Sequence, residues 1–303
     1  MYDIIIVGGG PAGLTAAVYA LRAGKTALVI EKNGFGGQIA FSPKVENIPG
    51  TREISGAEFA DQLMAQAMDL GAEMELESVT FVTKTGDSFR VTTEEGGEYQ
   101  GRSVILALGV KHRRLNLPGE EELIGNGISF CAVCDGAFYS GQDVAMVGGG
   151  NSALQEALLL SEVCRSVTIV QNLAFLTGEK ALADALAKRD NVKILYSTLV
   201  AGYIQEDGAL KGLLLRGENG KETQIAVDGA FLAVGLKPEN EQFRNLAGLD
   251  YQGYFDSGEN CETRTPGVYV AGDCRVKGIR QIVTASADGA VAAMAACRYV
   301  DGL

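Results

Sequence analysis

Hydrophobic residues along this chain gather in short runs that end at glycines. Asp3-Ile4-Ile5-Ile6-Val7 is an apolar run of strand character, Gly8-Gly9-Gly10-Pro11-Ala12-Gly13 follows it, and an Ala/Leu-rich stretch continues through Ala23. The pattern predicts strand, glycine turn and helix. Gly8 permits the tight turn, Gly10 lets the main chain come close to a pyrophosphate, and Gly13 lets helix and strand pack, with Pro11 and Ala12 between them. The N-terminus of the helix then faces the phosphates. Gly24 closes the helix, residues 26–30 predict a second strand, and Glu31 arrives at the spacing of a ribose-binding acid. Residues 4–21 carry no charge, but they contain the glycine turn, follow Asp3 and have no basic leader. They read as buried strand and helix, not as a signal or membrane segment.

The same order recurs. Asp143-Val144-Ala145-Met146-Val147 leads into Gly148-Gly149-Gly150-Asn151-Ser152-Ala153, a helical stretch and Val167-Thr168-Ile169-Val170, and the position matching Glu31 is Gln171. Each half offers a later strand ending in a similar turn, Ile105-Leu106-Ala107-Leu108-Gly109 and Phe231-Leu232-Ala233-Val234-Gly235. The chain is therefore expected to be α/β and internally duplicated, with two Rossmann-like dinucleotide-binding domains. Near the end, Gly267-Val268-Tyr269-Val270-Ala271-Gly272-Asp273 predicts a short strand running into a Gly-Asp turn, with an Ala-rich helix over residues 284–299. A carboxylate in that turn suits a sugar-alcohol hydroxyl, and the helix points its positive end at an anion or an electron-rich ring.

Composition narrows the partners. Of 303 residues, 47% are hydrophobic and 21% charged, a globular balance with material for two cores. The 40 glycines against 6 prolines reject a Pro-rich disordered chain. A net charge of −12 argues against nucleic acid or an anionic membrane, since both polyanions need a basic face. The only dense basic run, Lys111-His112-Arg113-Arg114, reads as a solvated connector or as a docking patch for an acidic partner. His112 is the one histidine, which excludes a His-rich metal site.

Among the six cysteines, only Cys131 and Cys134 have a spacing that carries chemistry. Two thiols separated by two residues can close a small disulfide ring and exchange through a thiolate. Half of a zinc site would need two further ligands, and no second close cysteine pair or histidine cluster exists. Asp135 beside the pair has the position of a helix cap. The other four cysteines are expected to be packing residues.

Taken together, the motifs resemble the low-molecular-weight thioredoxin reductases, FAD flavoproteins with two dinucleotide-binding domains. The likeness is carried by residues 8–13, Gly36-Gly37-Gln38, Glu46-Asn47-Ile48-Pro49-Gly50, Cys131-Ala132-Val133-Cys134-Asp135-Gly136, residues 148–153, Gly272-Asp273 and Arg280-Gln281. It implies an FAD domain split into residues 1–112 and 244–303 around an inserted NAD(P)H-type domain, 113–243, that carries the redox disulfide. Gly37, Gln38, Asn47, Gly272, Asp273, Arg280 and Gln281 match flavin-site positions of that family, beside Gly8, Gly10, Pro11, Ala12, Gly13 and Glu31. The resemblance also implies that Asp135 exchanges a proton with the departing thiolate, that Cys134 faces the flavin, and that no metal takes part. Electrons would pass from FAD to the Cys131–Cys134 disulfide and on to thioredoxin, in a cytoplasmic homodimer.

One stretch departs from that family. Its ordinary members place a His-Arg-Arg cluster and a further Arg after the second strand of the inserted domain, where they hold the 2′-phosphate of NADPH. Here Gln171-Asn172-Leu173-Ala174-Phe175-Leu176-Thr177 contains no cation, and no Asp or Glu stands at the strand end as NADH would require. With Gly178-Glu179 behind it, the stretch is similar to that of the ferredoxin-dependent flavin thioredoxin reductases, so reduced ferredoxin is the expected donor. The retained turn at 148–153 keeps two readings open: NAD(P)H in an unusual pocket, or a turn that survives because strand and helix must pack. A flavin dithiol oxidase that delivers electrons to O2 and a non-catalytic flavin-bearing binding module are the remaining alternatives.

Overall fold

The computed structural model describes residues 1–41, 45 and 47–303, with the side chains of residues 41, 133 and 134 outside that description. The described chain divides into two compact units, Met1–Lys111 with Lys237–Leu303, and His112–Leu236. The return to the first unit therefore falls at residue 237, ahead of the expected 244. Residues ahead of 244 are held by the first unit: Glu239 pairs with Lys32 and Lys111, Asn240 donates to the Gly253 and Cys274 carbonyls at 2.9 and 2.7 Å, and Phe243 is fully buried in one apolar cluster with Ile5, Leu28 and Phe89.

In the first unit, the strand Tyr2–Val7 pairs in parallel with Ala27–Glu31 on one side and Glu98–Leu106 on the other. Glu73–Leu76 extends the parallel sheet beyond Ala27–Glu31, and Val268–Val270 pairs in parallel with Glu98–Leu106. Glu98–Leu106 also begins an antiparallel ribbon with Ser88–Thr93 and Val79–Thr85. The unbroken apolar run of the first strand follows from burial on both faces. Ile4 and Ile6 cluster with alanines of the helices Pro11–Arg22 and Ile282–Asp301, while Ile5 and Val7 cluster with Phe89, Val91 and Phe255. Each such isoleucine contributes about 2 kcal/mol by leaving water. The two helices meet closely: a Cβ on Gly289 would lie 2.1 Å from the Ala12 carbonyl oxygen.

The second unit repeats the plan. Asp143–Val147 is flanked in parallel by Ser166–Val170 and Gly229–Leu232, with Val192–Leu195 and Ile128–Ser129 at the edges, and the helix Asn151–Val163 follows its glycine turn. A separate antiparallel sheet of Thr198–Glu206, Ala209–Gly217 and Glu222–Ala226 completes it. Each first strand carries an aspartate at or next to its first residue that holds the start of the second. Asp3 accepts the Thr26 N–H at 2.9 Å, and Asp143 accepts the Ser166 hydroxyl at 2.7 Å and Arg165 Nε at 2.9 Å. No helix among the described residues is long and apolar enough to cross a membrane.

Candidate dinucleotide and disulfide sites

The first glycine turn is built by contacts that only glycine allows. A Cβ on Gly8, whose φ is +110°, would lie 2.2 Å from the Ala107 carbonyl oxygen, and one on Gly13 would lie 1.8 Å from that of Gly8. Gly10 caps the helix Pro11–Arg22 in an extended conformation. At the end of the second strand, Glu31 accepts the Gly9 N–H at 2.7 Å and the Asn33 N–H at 2.9 Å. The Gly36 N–H donates to the Gly9 carbonyl at 2.7 Å, which brings Gly37 against Gly10. Glu31 lines a cleft of about 470 Å³ with Gly8, Lys32, Val79 and Glu239. Gln38 donates to the Val110 carbonyl, and Asn47 donates to Gln281 Oε1 at 2.8 Å. Gln281 caps the helix Ile282–Asp301, its N–H bonded to Thr284 Oγ1 at 3.1 Å.

The Gly-Asp turn lies on the same unit. Gly272, with φ +81°, is held by its N–H to Asp288 Oδ2 at 3.0 Å, and a Cβ there would come within 2.8 Å of the Ala12 Cβ. Asp288 also accepts Arg275 Nε at 2.8 Å and Lys277 Nζ at 2.7 Å, so its buried charge is fully answered. Asp273 is different. Its Oδ1 is buried without a hydrogen bond, and burial raises its carboxyl against the opposing pull of Lys277 and Arg280. Arg280 donates to the Asp273 carbonyl at 3.2 Å and stacks on Tyr254 at 4.1 Å.

The second turn has the same backbone and other surroundings. A Cβ on Gly148 would lie 2.3 Å from the Ala233 oxygen, the counterpart of the Gly8 contact, and Ala153 takes the place of Gly13. Gln171, only 3% exposed, donates to the Phe175 carbonyl at 2.8 Å. The N–H groups of Thr177 and Gly178 reach the Gly149 carbonyl at 2.8 and 2.9 Å. Leu173 and Phe175 are exposed where a cation cluster was absent from the sequence.

Cys131 is disulfide-bonded, and Cys164, Cys261, Cys274 and Cys297 are buried free thiols. Burial pushes the Cys164 and Cys261 thiols up to about 11 and that of Cys274 to about 12, so none is poised for exchange. The side chain of Cys134, and Glu46 of the earlier motif, lie outside the described residues. Ser129 links Cys131 to Asp135: its hydroxyl accepts the Cys131 N–H at 3.0 Å and donates to Asp135 Oδ2 at 2.6 Å. Among the described residues, no group of His, Cys, Asp and Glu is arranged to hold a metal ion. The basic run is engaged throughout. Lys111 pairs with Glu239 at 2.8 Å, His112 stacks on Phe130, Arg113 donates to the Leu236 carbonyl at 2.8 Å, and Arg114 pairs with Glu121.

The family profile described as pyridine nucleotide-disulphide oxidoreductase matches residues 2–289. The chain belongs to that family. It is 40% identical over 99% of its length to a 34.2 kDa protein in the rubredoxin operon of Clostridium pasteurianum, covering 97% of that protein. It is 38% identical over its full length to a thioredoxin reductase of Bacillus subtilis, of which it covers 96%. The crystal structure of Lactococcus lactis thioredoxin reductase superposes with a TM-score of 0.93 at 35% identity, each chain fully covered. The protein is thus an oxidoreductase with two Rossmann-like domains, and thioredoxin reductases of this family are FAD-binding flavoproteins.

The residues present fit such a group. The orphaned Asp273 Oδ1 is a buried acceptor that lacks a donor, as a ribityl hydroxyl would supply, and the Gly8–Gly13 cradle leaves helix N–H groups for a pyrophosphate. Two features escaped sequence reasoning. Glu77 lines the cleft with a buried, unbonded Oε2, and nothing in its polar surroundings in sequence marks it. Asp288 was detectable as the lone acid within residues 284–299, but its partners Arg275 and Lys277 were not.

Proposed function

We propose that the protein reduces the disulfide of thioredoxin with electrons passed from FAD through the Cys131–Cys134 pair, and that reduced ferredoxin is the donor to the flavin. Bound FAD supplies two-electron redox chemistry. Glu31, Gly10 and Gly13 would hold its adenosine and pyrophosphate side, and Gly37, Gln38, Asn47, Asp273, Arg280 and Gln281 its flavin side. Ser129 and Asp135 keep an exchangeable proton next to Cys131, which suits the departure and return of a thiolate. The likeness to bacterial thioredoxin reductases supports thioredoxin as the partner, and a cytoplasmic homodimer is the form we propose on the resemblance of the motifs.

One observation carries the choice of donor. Gln171 is buried and gives its amide N–H to Phe175, so the position that should bind a ribose is turned into the protein, and exposed Leu173 and Phe175 stand where a 2′-phosphate needs cations. Loss of such charged contacts lowers nucleotide affinity by about two decades. The test is anaerobic: NADPH, NADH, reduced ferredoxin or a dithiol is added to oxidised enzyme and flavin bleaching is followed. Ferredoxin is expected to bleach the flavin rapidly and the nicotinamides slowly. Rapid bleaching by NADPH refutes the donor and favours the retained second turn as a working pocket. Cys131→Ser is expected to keep FAD and lose thioredoxin turnover, and a fully active variant removes the cysteine pair from the mechanism.

A further inference from the structure

A second carboxylate stands against the cysteine motif, from a different element. Glu156, on the helix Asn151–Val163, directs Oε2 at the Ala132 N–H, 3.2 Å away. Ala132 is the residue after Cys131 and is 1% exposed. The carboxylate thus adjoins the peptide that leaves the redox cysteine, on a path separate from the Ser129 link to Asp135. Burial pushes the Glu156 carboxyl up to about 7, against a smaller downward pull from the Ala132 N–H.

Resting on the reading of Cys131 and Cys134 as the redox pair, we propose that Glu156 is a positioning residue that takes up a proton when this disulfide opens and releases it when the disulfide closes. Opening the S–S bond takes two electrons from the reduced flavin. One proton from solvent converts one sulfur to a thiol, and the other sulfur remains a thiolate. A second solvent proton goes to Glu156, which removes a negative charge from the peptide that leaves Cys131. When the thiolate attacks the disulfide of thioredoxin and the pair closes again, both protons end on the two thiols of reduced thioredoxin, and Glu156 returns to its anion.

Other titratable groups on the elements packed against this helix do not duplicate the role. Asp135 is bonded to Ser129, and Asp143 to Arg165 and Ser166. Burial, with help from Asp135 and Asp228, raises Tyr139 and keeps it protonated, and Lys180 and Asp184 of the helix Lys180–Leu186 are exposed.

The test uses pre-reduced holoenzyme and its rate of alkylation by iodoacetamide across pH. The four buried cysteines are poor competitors, so the rate reports the Cys131–Cys134 pair. Glu156→Gln is expected to match the unsubstituted enzyme at about pH 6, where residue 156 is neutral in both, and to react about fivefold faster at about pH 9, where Glu156 is ionised even in the reduced enzyme and holds the thiolate back. Glu156→Asp is expected to restore the native pH dependence. A rate ratio independent of pH overturns the proposal, because a structural defect shifts reactivity at every pH alike. Should the glutamine variant not fold, the reduced-minus-oxidised infrared spectrum decides on the native protein and Asp135→Asn. Both are expected to gain a protonated-carboxyl band on reduction, and its absence overturns the proposal. Failure of the native enzyme to reduce thioredoxin would instead refute the proposed function, leaving the alkylation profile to stand by itself.

Discussion

In the first unit Glu31 holds the Gly9 N–H at the edge of an open cleft, whereas in the second Gln171 lies buried and bonded to Phe175. The backbones of the two turns are nearly interchangeable. Gly8 and Gly148 abut the carbonyls of Ala107 and Ala233 in the same way, and Gly36 and Gly178 each donate to the middle glycine of their turn. Those contacts belong to strand and helix packing and need no ligand. A glycine fingerprint therefore reports the fold, and the side chain closing the second strand reports whether a nucleotide is held there.

The matched pair Gly10→Ala and Gly150→Ala tests this most severely. Both positions are extended and have room for a methyl, with nearest neighbours 3.9 Å away at Gly37 and 3.7 Å away at Thr177. In the first turn the methyl intrudes where phosphates approach, so FAD affinity of the apoprotein should fall about a hundredfold, of the order of two lost charge-assisted hydrogen bonds. In the second, FAD affinity and ferredoxin-driven turnover should not change. Fluorescence titration with FAD reads the first effect, and equal losses in both variants would break the comparison.

A smaller effect is expected from Asp273→Asn. Its orphaned Oδ1 and raised carboxyl mean that the apoprotein bears a buried charge that Lys277 and Arg280 only partly offset. Since the folded-state value lies above the unfolded one, the native aspartate is most favourable to stability in acid and loses that contribution as pH rises through the folded value. The asparagine apoprotein should therefore be more stable than the native one at neutral pH, by about 1 kcal/mol, with the gap closing toward about pH 4. FAD should bind it about tenfold more weakly. Chemical denaturation of the two apoproteins across pH measures the first quantity. A gap that widens in acid contradicts the assignment of an unpaired carboxylate.

The duplication was legible because it rests on local signals: an apolar run, glycines at fixed offsets and an alanine-rich helix, each set by nearby backbone geometry. The outer strands were not. Glu73–Leu76, at the edge of the parallel sheet, and Glu222–Ala226, in the antiparallel one, are polar strands with little buried surface, so their pairing depends on neighbours remote in sequence. The unit boundary near 237 was misplaced for the same reason, since Phe243 is assigned by the core it enters and not by its own neighbourhood. At the sites, Asp135 was visible beside its cysteine. Glu156 was not, because the polar face of an amphipathic helix gives no sign that one carboxylate meets Ala132.

The finest test of the comparison uses what the two units share. Asp3 and Asp143 occupy equivalent strand starts, and both carboxyls lie below the usual range. For Asp3, partial burial acts upward but is outweighed by the Thr26 N–H and hydroxyl. For Asp143, the Arg165 guanidinium, followed by the Ser166 hydroxyl, brings the value to about 2. Groups depressed in the folded state stabilise above their unfolded value and lose that contribution as pH falls through the folded one. Asp3→Asn and Asp143→Asn should thus each cost about 0.5 kcal/mol at neutral pH, discounted for the solvent exposure of both side chains, and nearly nothing at about pH 2. FAD affinity and thioredoxin turnover should be indifferent to either. Because this pair serves strand entry alone, equal costs place the difference between the units in their ligand-facing side chains. A cost confined to Asp3 would mean that the first unit's scaffold is itself tuned to its nucleotide, and that the likeness of the two turns ends at the backbone.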